Sequence, residues 1–149
     1  MSTATTIGWP HVLRRYLVIS TGIHLAWELA QLPLYTIWAT GTRNENLIAV
    51  VHCTAGDVAI AGLSLLAGLV ALASPAWPAS SLRSVYLATI VTGVAYTIYS
   101  EWLNTSVRQS WAYSEWMPVL PVTGTGLSPL MQWIVVPTLA LWFAAGRRP

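Results

Sequence analysis

Residues 23–35 read IHLAWELAQLPLY, and how this stretch is taken decides the fold. It lies inside an apolar run from about 13 to 38, long enough to cross a bilayer as a helix, which takes ~20 residues for a ~30 Å hydrocarbon core. Yet it carries His24, Glu28 and Gln31. An acid near the centre of a membrane helix costs about 2.5–3.5 kcal/mol, and each Leu or Ile returns only about 0.5. A carboxylate in such a place faces a protein interior or a wet cavity and is a functional candidate. The stretch therefore predicts a membrane helix whose polar face meets something inside the protein.

The rest of the chain fits that reading. Of its 149 residues, 55% are hydrophobic and 8% charged, with nine Trp and no Lys. A soluble domain of this size carries about 25% charged residues, so the shortfall points to a lipid-exposed surface. Three more apolar segments follow, at about 47–73, 83–104 and 129–145. The expected fold is all-α: one transmembrane domain over 1–149, a four-helix integral membrane bundle. Asn44 or Asn46 can cap the second helix, Pro75 and Pro78 close it, and Ser128 with Pro129 can open the fourth, which Gly146 follows.

Charge sets the orientation. Arg14, Arg15, Arg83, Arg147 and Arg148 fall on one side of a four-span arrangement, with Arg43 and Arg108 on the other. The positive-inside rule puts both termini in the cytoplasm, in a bacterial inner membrane. An Arg-Arg pair before an apolar run also suits an export signal, but no small-x-small cleavage site follows it, which favours a retained helix. The net charge of +2 is too weak and scattered for a nucleic-acid partner, and the single Cys53 allows no internal disulfide. Residues 104–127, NTSVRQSWAYSEWMPVLPVTGTGL, mix Trp111, Tyr113, Trp116 and Met117 with proline and glycine. Such a segment suits an aromatic-rich interfacial loop between the third and fourth helices, either a lid or a simple aromatic belt.

Three of the five acids, Glu28, Asp57 and Glu101, fall inside the expected spans. Helical spacing puts His24, Glu28, Gln31 and Tyr35 on one face of the first helix, and Thr97, Glu101, Asn104 and Arg108 on one face of the third. Cys53, Asp57 and Ser64 share a face of the second, with His52 turned elsewhere. Counting from the turns at ~1.5 Å per residue brings the three carboxylates within roughly one helical turn in depth, in the outer half of the membrane. His52, Gln31 and Gln132 lie nearer the surface and His24 deeper. Individually, Gln31, Tyr35 and Gln132 suit helix–helix hydrogen bonds. Apolar surroundings favour at least one carboxyl keeping its proton near neutrality unless a cation pairs with it, which suits proton donation.

Three stretches resemble the EXPERA group, small membrane proteins that include the emopamil-binding sterol isomerases and the sigma-two receptor. HLAWE (residues 24–28) resembles the His-x-x-x-Glu helix of the isomerases, and ELAQLP (28–33) a stretch of the receptor branch. YTIYSEW (96–102) is similar to an aromatic-rich approach to a Glu, and QWIVVP (132–137) to a last-helix segment in which Asn stands where this chain has Gln132. The resemblance implies a lipid-facing cavity for a sterol-like molecule. It implies that His24 and Glu28 handle a proton, that Glu101 donates or stabilises, and that Gln132 and Trp133 line a cation pocket.

The resulting expectation is an intramembrane acid–base enzyme, an isomerase or cyclase, acting without a cofactor on an isoprenoid, sterol-like or other lipid molecule. His24, Glu28, Asp57 and Glu101 are the candidate catalytic residues. Trp27, Gln31, Tyr35, His52, Tyr96, Tyr99, Asn104, Trp111, Gln132 and Trp133 are the candidate binding residues. A non-catalytic lipid- or pigment-binding protein, or an accessory subunit of an oligomer or larger membrane complex, is the first alternative. A metal site is the second, built from His24 and Glu28 with His52, Asp57 or Glu101. Bis-histidine haem is disfavoured by a depth offset of roughly 15 Å between His24 and His52.

Overall fold

Pro10 sits in the first turn of α1 (Trp9–Gln31), where its missing N–H costs nothing. The computed structural model describes residues 8–146. α1 ends at Gln31 because Pro33 cannot donate to the helix, and the chain turns through a short 3-10 segment, Leu32–Leu34. This corrects the expected first helix of 13–38: Tyr35 is extended, with φ −114° and ψ 146°, and is not on the α1 stripe. A single turn, α2 (Ile37–Thr40), follows.

α3 (Arg43–Leu72) opens with a capping box. The Thr42 hydroxyl accepts from the Glu45 amide, and the Glu45 carboxylate accepts from the Thr42 amide at 2.7 Å. Thr42 thus takes the place expected for Asn44 or Asn46. Pro75 follows the end of α3, and α4 (Leu82–Trp102) runs on into a wider π turn, Leu103–Val107. α5 (Leu127–Ala144) starts from Gly126, two residues before the expected Ser128 cap. It closes on Gly146, whose φ of 76° is the left-handed conformation that glycine adopts without strain.

The described residues form five helices and no strand; two isolated bridges, Tyr35–Tyr113 and Val119–Gly126, tie loops together. The four long helices pack in cyclic order, α1 on α3, α3 on α4, α4 on α5 and α5 back on α1. At one end Val12, Tyr16, Leu65, Val85, Ala140 and Ala144 form a tightly buried apolar core. Two helices, α3 and α5, are long and apolar enough to cross a membrane. Large apolar side chains are exposed along the helices, among them Val70 at 89% and Val18 at 69%.

Two close approaches set the packing. Gly68 lets α3 come near the Val85 carbonyl of α4, and Gly93 receives the indole of Trp133. A Cβ at position 93 would lie 2.1 Å from Trp133 Cε3, so only glycine fits under that ring. Trp133 is pressed inward as a result, its indole 5.5 Å from the His24 ring.

Candidate functional site

At the end of the molecule where α1 finishes and α5 begins, the helices enclose a cavity of about 380 Å³. α1 supplies Glu28 and Gln31, α3 supplies His52, Cys53 and Asp57, and α4 supplies Tyr96, Thr97 and Glu101. Asn104 and Arg108 follow from the π turn, Trp111 from the loop, and Gln132 and Trp133 from α5. Glu28, Asp57 and Glu101 thus line one space.

Gln132 is the hub of its inner wall. Its amide nitrogen lies 3.0 Å from Glu28 Oε1, 2.9 Å from Asp57 Oδ2 and 2.9 Å from His24 Nδ1. Gln31 donates to Glu28 at 2.7 Å and to the Gln132 carbonyl oxygen at 3.3 Å. His24 Nδ1 is also 3.4 Å from Asp57 Oδ2. The inner part of the cluster is held away from water, with His24 wholly buried, Gln132 1% exposed and Glu28 7%, while the Asp57 side chain is 17% exposed. An amide with two hydrogens cannot serve three acceptors at once, so one neighbour must supply its own proton.

Glu101 stands in another part of the wall. It accepts from the Tyr113 hydroxyl, which in turn accepts from the Gly126 amide at 2.9 Å. Burial, with the neighbouring Glu101, Tyr113 and Glu28, raises the Tyr35 phenol well above its ordinary pKa. Burial and the bond to Glu101 do the same for Tyr113. Both phenols remain neutral donors. Their rings meet at 5.6 Å.

The loop forms a cover joined to the chain after α1. The Thr36 amide donates to the Ala112 carbonyl at 3.0 Å, and the Ser114 amide to the Leu34 carbonyl at 2.9 Å. Met117 is buried beneath it, whereas Trp116 is 73% exposed.

Several candidate residues stand elsewhere than expected. His24 reaches the cavity only through Gln132 and Asp57. Trp27 does not line the cavity; its indole donates to Ser128 Oγ at 3.2 Å, and Ser128 donates to Gln31 Oε1 at 2.7 Å. Tyr99 faces outward, stacked on Trp102 at 6.1 Å. His52, expected to turn away, lines the same cavity as Cys53 and Asp57 because the lining spans a broad arc of α3, from Ala49 to Ile60. Tyr35 lines the cavity from the linker and not from a helix.

Two site residues carry no sequence signal for the place they take. Tyr113 is one aromatic among several in the loop, and no spacing rule connects it to Glu101 twelve positions earlier. Ser128 reads as a cap, and its tether to Gln31 depends on the α1–α5 register. Among the described residues, no three His, Cys, Asp or Glu side chains converge as a metal-ligand set. In comparisons with known proteins, the chain matches no family model, no curated protein and no solved structure.

Proposed function

We propose that this chain is a four-span membrane protein whose cavity carries out acid–base chemistry on an apolar small molecule of isoprenoid or sterol-like class. α1 and α4, of 23 and 21 residues, reach about 30 Å at 1.5 Å per residue, the thickness of the hydrocarbon core. One polar face of each turns inward: Ser20, His24, Glu28 and Gln31 on α1, and Thr89, Thr97 and Glu101 on α4, are all buried. Val18, Leu25 and Leu29 on α1, with Leu87 and Val91 on α4, lie outside. Arg14, Arg15 and Arg83 favour a cytoplasmic position for the end away from the cavity; Arg147 and Arg148 lie outside the described residues.

The observation that carries the reading is the meeting of Glu28 and Asp57 at one amide nitrogen, beside a cavity that Glu101 also lines. Two carboxyls held so close can pass a proton between them without two like charges standing together. One acts as acid and the other as base, on a guest enclosed by Tyr35, Tyr96, Trp111 and Trp133. Aromatic faces of this kind stabilise positive charge that develops when an alkene is protonated. This is the chemistry of double-bond migration or ring closure.

The test uses protein purified in lipid nanodiscs with the small molecule that accompanies it, transferred to deuterated water. Carbon-bound deuterium should enter that molecule, and Glu28→Gln or Glu101→Gln should slow its incorporation by about 10²-fold or more. A guest that emerges unlabelled and unchanged from the native protein overturns the enzymatic reading in favour of a non-catalytic lipid-binding protein. The exposed aromatic surface, with Trp9, Trp38, Trp102 and Trp142 each about half accessible, is the observation favouring that second reading as an accessory subunit.

A further inference from the structure

The polar face of α1 continues past the cavity. Tyr16 and Ser20 precede His24 at four-residue steps, one helical turn apart, and all three are wholly buried. The Tyr16 hydroxyl and Ser20 Oγ face one another short of full hydrogen-bond geometry, and His24 Nε2 has no hydrogen-bond partner in the protein. Buried polar atoms are costly without partners, and native proteins satisfy them with protein groups or ordered water.

α5 lies alongside. The pairs Arg15–Phe143, His24–Gln132 and Trp27–Ser128 show that it runs antiparallel to α1. That register sets Pro137 about level with Ser20. Proline has no N–H, so the Trp133 carbonyl loses the helical donor it would otherwise have at position 137. Three polar atoms of α1 and, about level with them, a carbonyl of α5 that lacks its helical donor are polar groups of the kind that a buried water serves.

The Gln132 amide determines what His24 needs. One arrangement that satisfies all three contacts sends one of its hydrogens to His24 Nδ1 and the other to one carboxylate, while the remaining carboxyl shares its own proton with its neighbour. Nδ1 is then an acceptor, and the single proton of the neutral ring sits on Nε2, at the edge turned away from Gln132.

We infer that water held by Ser20 and Tyr16 accepts the Nε2–H of His24, fixing the tautomer whose bare Nδ1 faces Asp57. Tyr16 and Ser20 are positioning residues. When Nδ1 takes the proton of the carboxyl pair, the O–H bond breaks, a second N–H forms, and the same water keeps its hydrogen bond to Nε2. The reverse step returns the proton to the pair, and nothing else is consumed. This use in turnover rests on the acid–base reading; the tautomer and the water do not.

The experiment is nitrogen NMR of histidine-labelled protein in nanodiscs, with His11, His24 and His52 assigned by single replacements. Neutral His24 should show the Nε2–H form and receive magnetisation from water. Tyr16→Phe with Ser20→Ala should reduce that transfer several-fold and raise the Nδ1–H population, while His52, which lines the open cavity, stays unchanged. Each single replacement removes only one polar atom, so each alone must move both signals in the same direction. A native ring in the Nδ1–H form, or a water signal at His24 that survives both replacements, overturns the inference. Either result leaves the deuterium-exchange test of the carboxyls standing by itself.

Discussion

At the scale of single residues, Gln132 is the side chain on which the cluster depends. Replacing it by Leu keeps the volume but strips the shared donor from Glu28, Asp57 and His24, leaving buried carboxyls without their hydrogen bond. The expected loss is about 3 kcal/mol, read as a lowered melting temperature in detergent, with Gln132→Asn recovering part of it. An unchanged melt would show that the amide does not hold the carboxyls together. The acids themselves were legible in the sequence because their insertion cost singles them out. The central role of Gln132 was not, since an amide carries no such penalty and its partners lie 75 to 108 positions away in the chain. Tyr35 stands off the helical stripe because the spacing does not carry through Pro33, whose missing N–H ends α1.

Among the elements, the α4–α5 contact is the most sharply constrained. Gly93→Ala would put a methyl 2.1 Å from the Trp133 ring, pushing the indole toward His24 and the cavity. Overpacking of this kind costs about 1–3 kcal/mol. Adding Trp133→Leu should relieve it, so that the double variant melts higher than the sum of the two single losses implies. Strict additivity would mean that the two residues do not press on one another. All four long helices were legible from apolar length, and the Gly146 stop from glycine chemistry. The caps were harder. Thr42-x-x-Glu45 matches the capping-box pattern, yet the adjacent asparagines are equally good caps by residue type. Ser128 was drawn from capping duty by the Trp27 indole and the Gln31 amide, which no local pattern reveals.

For the whole molecule, the proposed orientation is checked by thiol accessibility. In a Cys53→Ala background, a cysteine replacing Trp116 should react with a membrane-impermeant maleimide from the periplasmic side. One replacing the exposed Ala79 should react only after permeabilisation. The reverse pattern would invert the protein in the membrane, and labelling of both from one side would remove the four-span topology. The convergence of Glu28, Asp57 and Glu101 in depth was legible because a short-looped helical hairpin keeps its two arms level. Which flank of each helix lines the cavity was not, as His52 and Tyr99 show: rotation about the helix axis is set by packing partners and not by spacing within one helix.

The cover over the cavity is fastened through main-chain atoms, residue 36 to 112 and residue 114 to 34, and through the side chains of Thr36, Tyr113 and Ser114. None of these fastenings uses the side chain of an outward loop position. The outward positions of the loop, Trp116 and Val122 among them, can therefore drift through many residue types while the cavity keeps its roof. Variation there would leave the lining of the cavity untouched.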